Sequence, residues 1–360
     1  MPSPSEPSSS APSIRRDGQP ASAMSASLVA ASVAATVDGL TRCELTLGNW
    51  GQRRGARTPG YLWFDPDVLA LGDHLEVTLG TGDRRGQVFS GVVTGLQARY
   101  PASSPPEVVV VAHDRFVDLL MTRRTRTLEH VTDAEAMAAV ASDHGLTVDV
   151  APSGPVHRTV VQGNTSDLAF LRARARFLDA DLWLSGTTIE VRARSAREPL
   201  TTTWSSGNGL DSFEVGADLT GQRSAVHVSG YDRQTKETLD ARANQTAIAD
   251  ELDGGRSGPE RVTEVFGDRV ERVVHLVPDA AATAQALADE RLRSTARRFV
   301  TASAVIEGDA RARPGRRASF AGLGPRFGGD YGIVGVRHAF DVSHGFRSTL
   351  DLERVGLGGS

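Results

Sequence analysis

The sequence predicts a mainly β protein with an α+β middle: two similar antiparallel β-barrels and a mixed helix–strand region between them. Three observations carry this fold class. From Leu28 to Leu120 the chain alternates apolar and polar residues in ATVDGLTRCELTL, HLEVTLGTGDRRGQVFSGVVTGLQARY and EVVVVAHDRF, with glycine- and proline-rich turns between them. After Arg123 the period changes to that of capped helices. The first pattern then returns near the C-terminus. GDHLEVTLG (72–80) lies over PGRRASFAG (314–322), VFSGVVTGLQARY (88–100) over DYGIVGVRHAFDV (330–342), and EVVVVAHDR (107–115) close to STLDLERVG (348–356), at a separation near 241 or 242 residues.

In chain order, residues 1–27 are rich in Ser, Pro and Ala and predict a disordered arm, because they carry too little apolar surface to offset ordering. Residues 28–122 are assigned to the first barrel, in which Cys43 reads as a small buried strand residue. Residues 123–205 form the α+β region. There Thr132 and Glu135 make a capping box ahead of AEAMAAVASDH, and Gly145 stands where a left-handed residue ends a helix. The next helix has cap candidates in Asn164, Thr165 and Ser166, an acid at Asp167, and an apolar stripe of Leu168, Leu171, Ala175 and Leu178. Its arginines, 172, 174 and 176, read as surface, interface or lumen charges. The hairpin LWLSGTTIEVR, which contains Trp183, follows, and the stripe is expected to pack on it. Residues 206–230 and 298–356 make a discontinuous second barrel, starting near Phe213 and including the strand AVHVSGYD. The insertion 231–297 holds a loose polar loop (234–262), the strand RVVHLV, and a long helix capped by Asp279 and ending about Arg297.

Composition bounds the function. A net charge of -4 and a pI near 6.2 lack the basic surplus of a generic nucleic-acid binder, and no nucleic-acid partner is expected. Lys236 is the only lysine, so the positive charge is almost all arginine, which reads as a coding bias on solvated positions. One cysteine excludes an intramolecular disulfide and a cysteine-based zinc site. No run approaches the roughly 18 apolar residues of a membrane span, and no signal peptide is evident, so membrane insertion is not expected. The nine histidines form no close metal-ligand pattern, and His113, His338 and His344 read as structural or exposed. GTGDRRG and GLGPRFGG precede strands and so lack the helix N-terminus that holds phosphate. Ser205–Gly209 reads as a turn, and Asp65 and Asp67 bracket Pro66 in another. The sequence therefore nominates no catalytic residue, no cofactor-binding residue, no metal ligand and no cofactor.

DGLTRCELTLGNW, GDHLEVTLG, VFSGVVTGL and AHDRF, in that order, resemble the first barrel of phage late control gene D baseplate hubs. HGLTVDV and VQGNTSDLAFLRARARFLDADLWL resemble the middle domain of that family and of the spike proteins of type VI secretion and other contractile injection systems. YGIVGVRHAFDVSHGFRSTLDLERV is similar to the family's last strands, so the resemblance spans about residues 28–356. It implies a tail hub fold and a non-enzymatic structural role: a homotrimer adapting a hexameric inner tube above to a separate trimeric spike below. Baseplate wedge or tube-initiator proteins are further implied partners. Assembly in the bacterial cytoplasm without a signal peptide, into a phage tail or injection particle, is implied as well. The alternative from another class is a tail-tip cell-wall hydrolase carried in the α+β region.

Overall fold

One sheet of 13 strands runs through both ends of the chain, and smaller sheets carry the middle. The structure, a computed structural model, describes residues 12–52, 57–232, 235–276, 278 and 280–358. The first half of the large sheet consists of Ser13–Arg16 (β1), Gln19–Pro20 (β2), Leu28–Thr36 (β3), Gly39–Gly48 (β4), His74–Leu79 (β5), Gly86–Arg99 (β6) and Glu107–His113 (β7), in the order β2-β1-β5-β6-β7-β4-β3. Alternation works as expected. In β4, Cys43, Leu45 and Leu47 point inward, and they meet Leu75, Val77, Val93, Val108 and Val110 in one core. The long strand β6 serves β5 with its first half and β7 with its second. It turns at Gly91, where a Cβ would lie 2.1 Å from the His113 carbonyl oxygen.

The disordered arm needs correction. Residues 1–11 lie outside the described residues, but 12–27 are built into the fold. β1 pairs with β5, and Ser22–Ala26 (α1) follows. Ile14 and Met24 are both 2% exposed in the first core. The polar residues around them hid two apolar anchors placed where the open side of the barrel needs them.

After Phe116–Met121 (α2), the middle region contains Arg123–Val131 (β8), Asp133–Ser142 (α3), Thr147–Val150 (β9), His157–Ser166 (β10), Asp167–Phe177 (α4), Ala180–Ser185 (β11) and Thr188–Ala193 (β12). β8 and β10 make an antiparallel ribbon, and β11-β12-β9 a sheet in which β9 runs parallel to β12. Thr132 and Glu135 make the capping box, Gly145 has a φ of 62°, and Ser166 is the cap that α4 uses. Leu168, Leu171 and Ala175 are buried against Met137, Val140, Leu182, Ile189 and Val191, with Leu178 half-buried at the helix end. The stripe thus packs on the hairpin that contains Trp183, through Leu182, Ile189 and Val191. Side chains alternate along β11, so Trp183 faces the other way.

The chain then enters the second barrel with Glu198–Ser206 (β13) and Gly209–Ala217 (β14), and leaves it for Ala225–Asp232 (β15), Glu237–Asn244 (β16), Arg256–Ser257 (β17), Gly258–Phe266 (α5), Val270–Val273 (β18) and Ala281–Arg297 (α6). It returns with Val300–Glu307 (β19), Arg316–Phe320 (β20), Gly324–Phe327 (α7), Gly329–Asp341 (β21), Gly345–Arg354 (β22) and Gly356–Leu357 (β23). Strands β21-β20-β13-β14-β19-β22 close on themselves through the β21–β22 pairing, around Trp204, Phe320, Tyr331, Ile333, Leu350 and Leu352. Three boundaries differ from the sequence reading. The second barrel begins at Glu198, not at 206. AVHVSGYD leaves the barrel, because β15 pairs with β16 and β18 under α6. Much of 234–262 is regular: β16 supplies Ala241 and Ala243 to that core, and Ser257 and Glu260 cap α5 with a capping box. Its polar composition hid a sheet whose inward residues are merely small. Asp279, the expected cap of α6, lies outside the described residues, and the cap position is Ala280.

Five strands correspond with the same pairings: β3, β4, β5, β6 and β7 answer to β14, β19, β20, β21 and β22. β13 takes the place of β1, but it runs parallel to β20 where β1 runs antiparallel to β5. Irregularities coincide too. β6 bulges between Val93 and Gly95, and β21 between Ile333 and Gly335, a shift of 240 residues. β3 slips between Leu28 and Ala30, and β14 between Leu210 and Ser212, a shift of 182. Gly72 N–H donates to the Val93 carbonyl and Gly315 N–H to that of Ile333. The sequence overlay found the right strands, one or two residues out of register. One strand junction joins the copies: β21 of the second barrel pairs with β3 of the first, from Gly335 opposite Thr36 to Asp341 opposite Ala30.

Candidate functional site

The helix α4 and the hairpin β11–β12 stand where both barrels and the insertion meet, and arginine–carboxylate pairs tie them to each. Toward the first barrel, the β3–β4 turn is gripped from α4. Arg172 donates to the Asp38 carbonyl, and Arg176 Nη2 lies 2.8 Å from Asp38 Oδ1. Gly39, with φ 73°, lets that turn seat on Phe116 and Leu182; a Cβ there would come within 2.8 Å of the Phe116 ring. Toward the second barrel, Arg197 binds Asp181 at 2.7 Å through Nε and Glu353 of β22 at 2.8 Å through Nη1. Arg194 completes the knot at 2.9 Å from Asp181. On the outer face of β11 the Arg313 guanidinium lies 4.9 Å above the Trp183 ring, and Gly315 packs beside it.

Toward the insertion, Arg297 at the end of α6 spans Asp179, 2.6 Å away through Nη2, and Glu251, 2.7 Å away through Nε. Arg158 of β10 makes a bidentate pair with Asp232 at 3.1 Å. Burial alone disfavours the charge on Arg297. Hydrogen bonds and charges from Asp179 and Glu251 outweigh it and hold its pKa above the ordinary value. The same balance governs Arg197 between Asp181 and Glu353.

Inside the middle region Asp167 is fully buried. It accepts from Gln162 Nε2 at 2.7 Å, meets His144 Nε2 at 2.8 Å, and lies 3.2 Å from Arg124 and 3.4 Å from Arg126. Burial pushes its carboxyl up, but the hydrogen bonds from Gln162 and His144 and the two arginine charges together bring it below its usual range. Asp133 likewise joins His157 at 2.8 Å and Arg174 at 3.2 Å. Arg174 also lies over the Phe177 ring at 5.4 Å. The arginines of α4 are therefore intrachain staples, not loose surface charges.

The sequence reading missed these knots, although a signal for them exists. Asp179 directly follows the C-cap of a helix, where the macrodipole repels acids unless cations answer them. Of the histidines, His338 is buried between Ser348 and the Ala312 carbonyl, His344 bonds Asp341 in a turn, and His113 bonds Thr94 at 2.7 Å. Asp65 Oδ1 accepts from Asp67 N–H, which makes the expected turn. Among the described residues no group of three or more His, Cys, Asp or Glu side chains is placed to hold a metal ion, and no helix is long and apolar enough to cross a membrane. A cleft of about 290 Å³ opens beside the junction, lined by Arg194, Arg197, Arg297, Arg354, Glu251 and Glu353. Arg194, Arg197 and Arg297 are engaged by carboxylates and Arg354 by the carbonyls of 326, 328 and 356, whereas Arg317, also in the lining, has no side-chain partner among the described residues. The geometry suits holding modules in fixed relation.

Residues 14–341 match the family model described as the Alg8 N-terminal domain. The chain belongs to that family. The description names no activity, and it differs from the late control gene D family that the motifs resemble. No curated protein matches the sequence. Among solved structures, the 43 kDa tail protein of prophage MuSo2 from Shewanella oneidensis is similar at a TM-score of 0.67 and 11% identity, covering 95% of this chain and 98% of that one. A tail protein from Neisseria meningitidis MC58 is similar at 0.66 and 16% identity, with 96% of each chain covered. An E. coli component of the type VI secretion system, itself described as similar to T4 bacteriophage tail proteins, is similar at 0.57 and 11% identity, covering 95% of this chain and 76% of that one. At these identities the likeness establishes the fold: mainly β, as in phage tail proteins.

Proposed function

We propose that this chain is a structural hub of a contractile tail or injection particle, of the kind found in the late control gene D family. Three copies form a ring that meets a hexameric inner tube on one face and a separate trimeric spike on the other. The observation that supports this best is the duplication of one barrel within one chain, down to the position of its bulges. Three chains then offer six near-equivalent barrels to a six-fold partner while keeping three-fold symmetry for another. The partition we read is a first barrel with strands from 13–16 to 107–113, a middle region of 123–193, a second barrel of 198–217 and 300–354, and an insertion between its halves. The middle region and its ion pairs fix the relation of the barrels. No observation among the described residues favours a cell-wall hydrolase over this reading. A density map of the assembled particle tests it: three copies of this chain at the tube–spike junction are expected, and six copies or one would refute it.

A further inference from the structure

The correspondence between the barrels leaves two strand edges unmatched. In the second barrel, Gly335–Asp341 of β21 carries β22 on one side and β3 on the other. The equivalent stretch of β6, Gly95–Arg99 and onward to Pro101, has β7 on one side, while β5 ends at Val92 on the other. Its residues show the lack of a neighbour: from Leu96 to Tyr100 every one is exposed, whereas Val336 and His338, the counterparts of Leu96 and Ala98, are buried. The second unmatched edge is that of β14. Its equivalent, β3, is paired on both sides, but β14 beyond Leu210 is paired only with β19.

We infer that these two edges are the contact between successive copies of this chain: β6 of one copy pairs antiparallel with β14 of the next, repeating between chains the β21–β3 junction within each. Transferring the register of that junction by the shifts of 240 and 182 residues sets Leu96 opposite Ala217, Arg99 opposite Glu214 and Tyr100 opposite Phe213. The register was fixed by backbone correspondence alone, yet it places an apolar pair, an opposite-charge pair and an aromatic pair on facing positions. Neither Arg99 nor Glu214 has a side-chain partner of its own among the described residues. Tyr100 is 61% exposed, and its counterpart Phe340 packs against the neighbouring barrel's core, the place Tyr100 takes beside Phe213. Sheet extension also covers backbone donors and acceptors that each free edge presents to solvent. The contact is head-to-tail, so it propagates around a ring in which first and second barrels alternate. The inference rests on the hub reading for the number of chains, and not for which edges meet.

Directly opposite Cβ atoms lie roughly 4.5–5.5 Å apart, within reach of a disulfide after modest adjustment. The full-length chain carrying Arg99→Cys and Glu214→Cys, oxidised both as concentrated purified protein and in assembled particles, is expected to give a disulfide-linked ladder on non-reducing gels. Either cysteine alone gives none. Arg99→Glu, placing like charges opposite each other, should cut chain–chain association about tenfold, and adding Glu214→Arg should restore it. Absence of a 99–214 link in both preparations, or a 99–99 link, overturns the pairing. Failure of the hub reading looks different: a 99–214 link that persists in an assembly with other than three copies.

Discussion

Replacing Arg297 by Met tests whether the charged knot holds the insertion to the middle region. The Arg297 side chain is 2% exposed and bonds two carboxylates that are themselves largely buried, Asp179 at 9% and Glu251 at 13% side-chain exposure. Methionine keeps much of the aliphatic packing and removes the charge, so Glu251 is left without a cation and Asp179 keeps only Arg293, 3.5 Å away. Breaking a buried pair in this way costs about 3–5 kcal/mol. If the chain unfolds as one unit, an unfolding entropy of about 2.1 cal/mol/K per residue turns that loss into a fall of roughly 4–7 °C in Tm. Differential scanning calorimetry measures the shift, and hydrogen exchange should show the early loss of protection concentrated in α6 and around Glu251. Adding Asp179→Asn and Glu251→Gln to Arg297→Met should recover more than half of the loss, since the cost then lay in uncompensated charge. A Tm within about 1 °C of the parent, or no recovery on neutralising the acids, would refute the reasoning.

Two other predictions concern the middle region and the second barrel. Leu171→Ala, in the fully buried stripe of α4, should cost about 2–5 kcal/mol in denaturant unfolding, and Arg174→Ala, which strips Asp133 of one partner, about 1–3 kcal/mol; equal tolerance of both would refute the packing. Burial lowers the pKa of His338 to about 4, with Nε2 donating to the Ala312 carbonyl and Nδ1 accepting from Ser348. The unfolded state, with an ordinary histidine, binds the extra proton between pH 6.5 and 4, so stability is kept above that window and falls by up to about 3 kcal/mol through it. His338→Gln should flatten this part of the stability–pH curve, and an unchanged slope would show that His338 does not set it.

The barrels were legible because half-buried strands write their burial into the sequence with a period of two, as in Cys43, Leu45 and Leu47. The helix α4 was legible for the same reason at a period of 3.6. What escaped falls under two physical causes. Short segments such as 13–27 contribute single anchors, Ile14 and Met24, and one buried side chain makes no period. The knots of Asp179, Asp181, Asp133 and Asp167 pair residues up to 156 positions apart, and pairing at long range leaves no local trace beyond an acid in a poor place for a helix end. The sequence left α4's arginines open among surface, interface and lumen charges for this reason: an arginine held by a carboxylate is indistinguishable in sequence from one held by water.

The duplication also explains why one barrel closes on itself and the other does not. In the second copy only Gly207 and Asn208 separate β13 from β14, and so short a link forces the two to lie side by side, with Ser205 opposite Gly209. In the first copy residues 17–27 separate β1 from β3, with β2 and α1 between them. The edge of β3 that β21 of the other barrel takes, over seven residue pairs from 30 to 36, lies beyond the stretch that corresponds to the β13–β14 contact. The nine extra residues of that link thus leave the first barrel open between β1 and β3, and the pairing of β21 with β3 joins the open and the closed copy into one sheet.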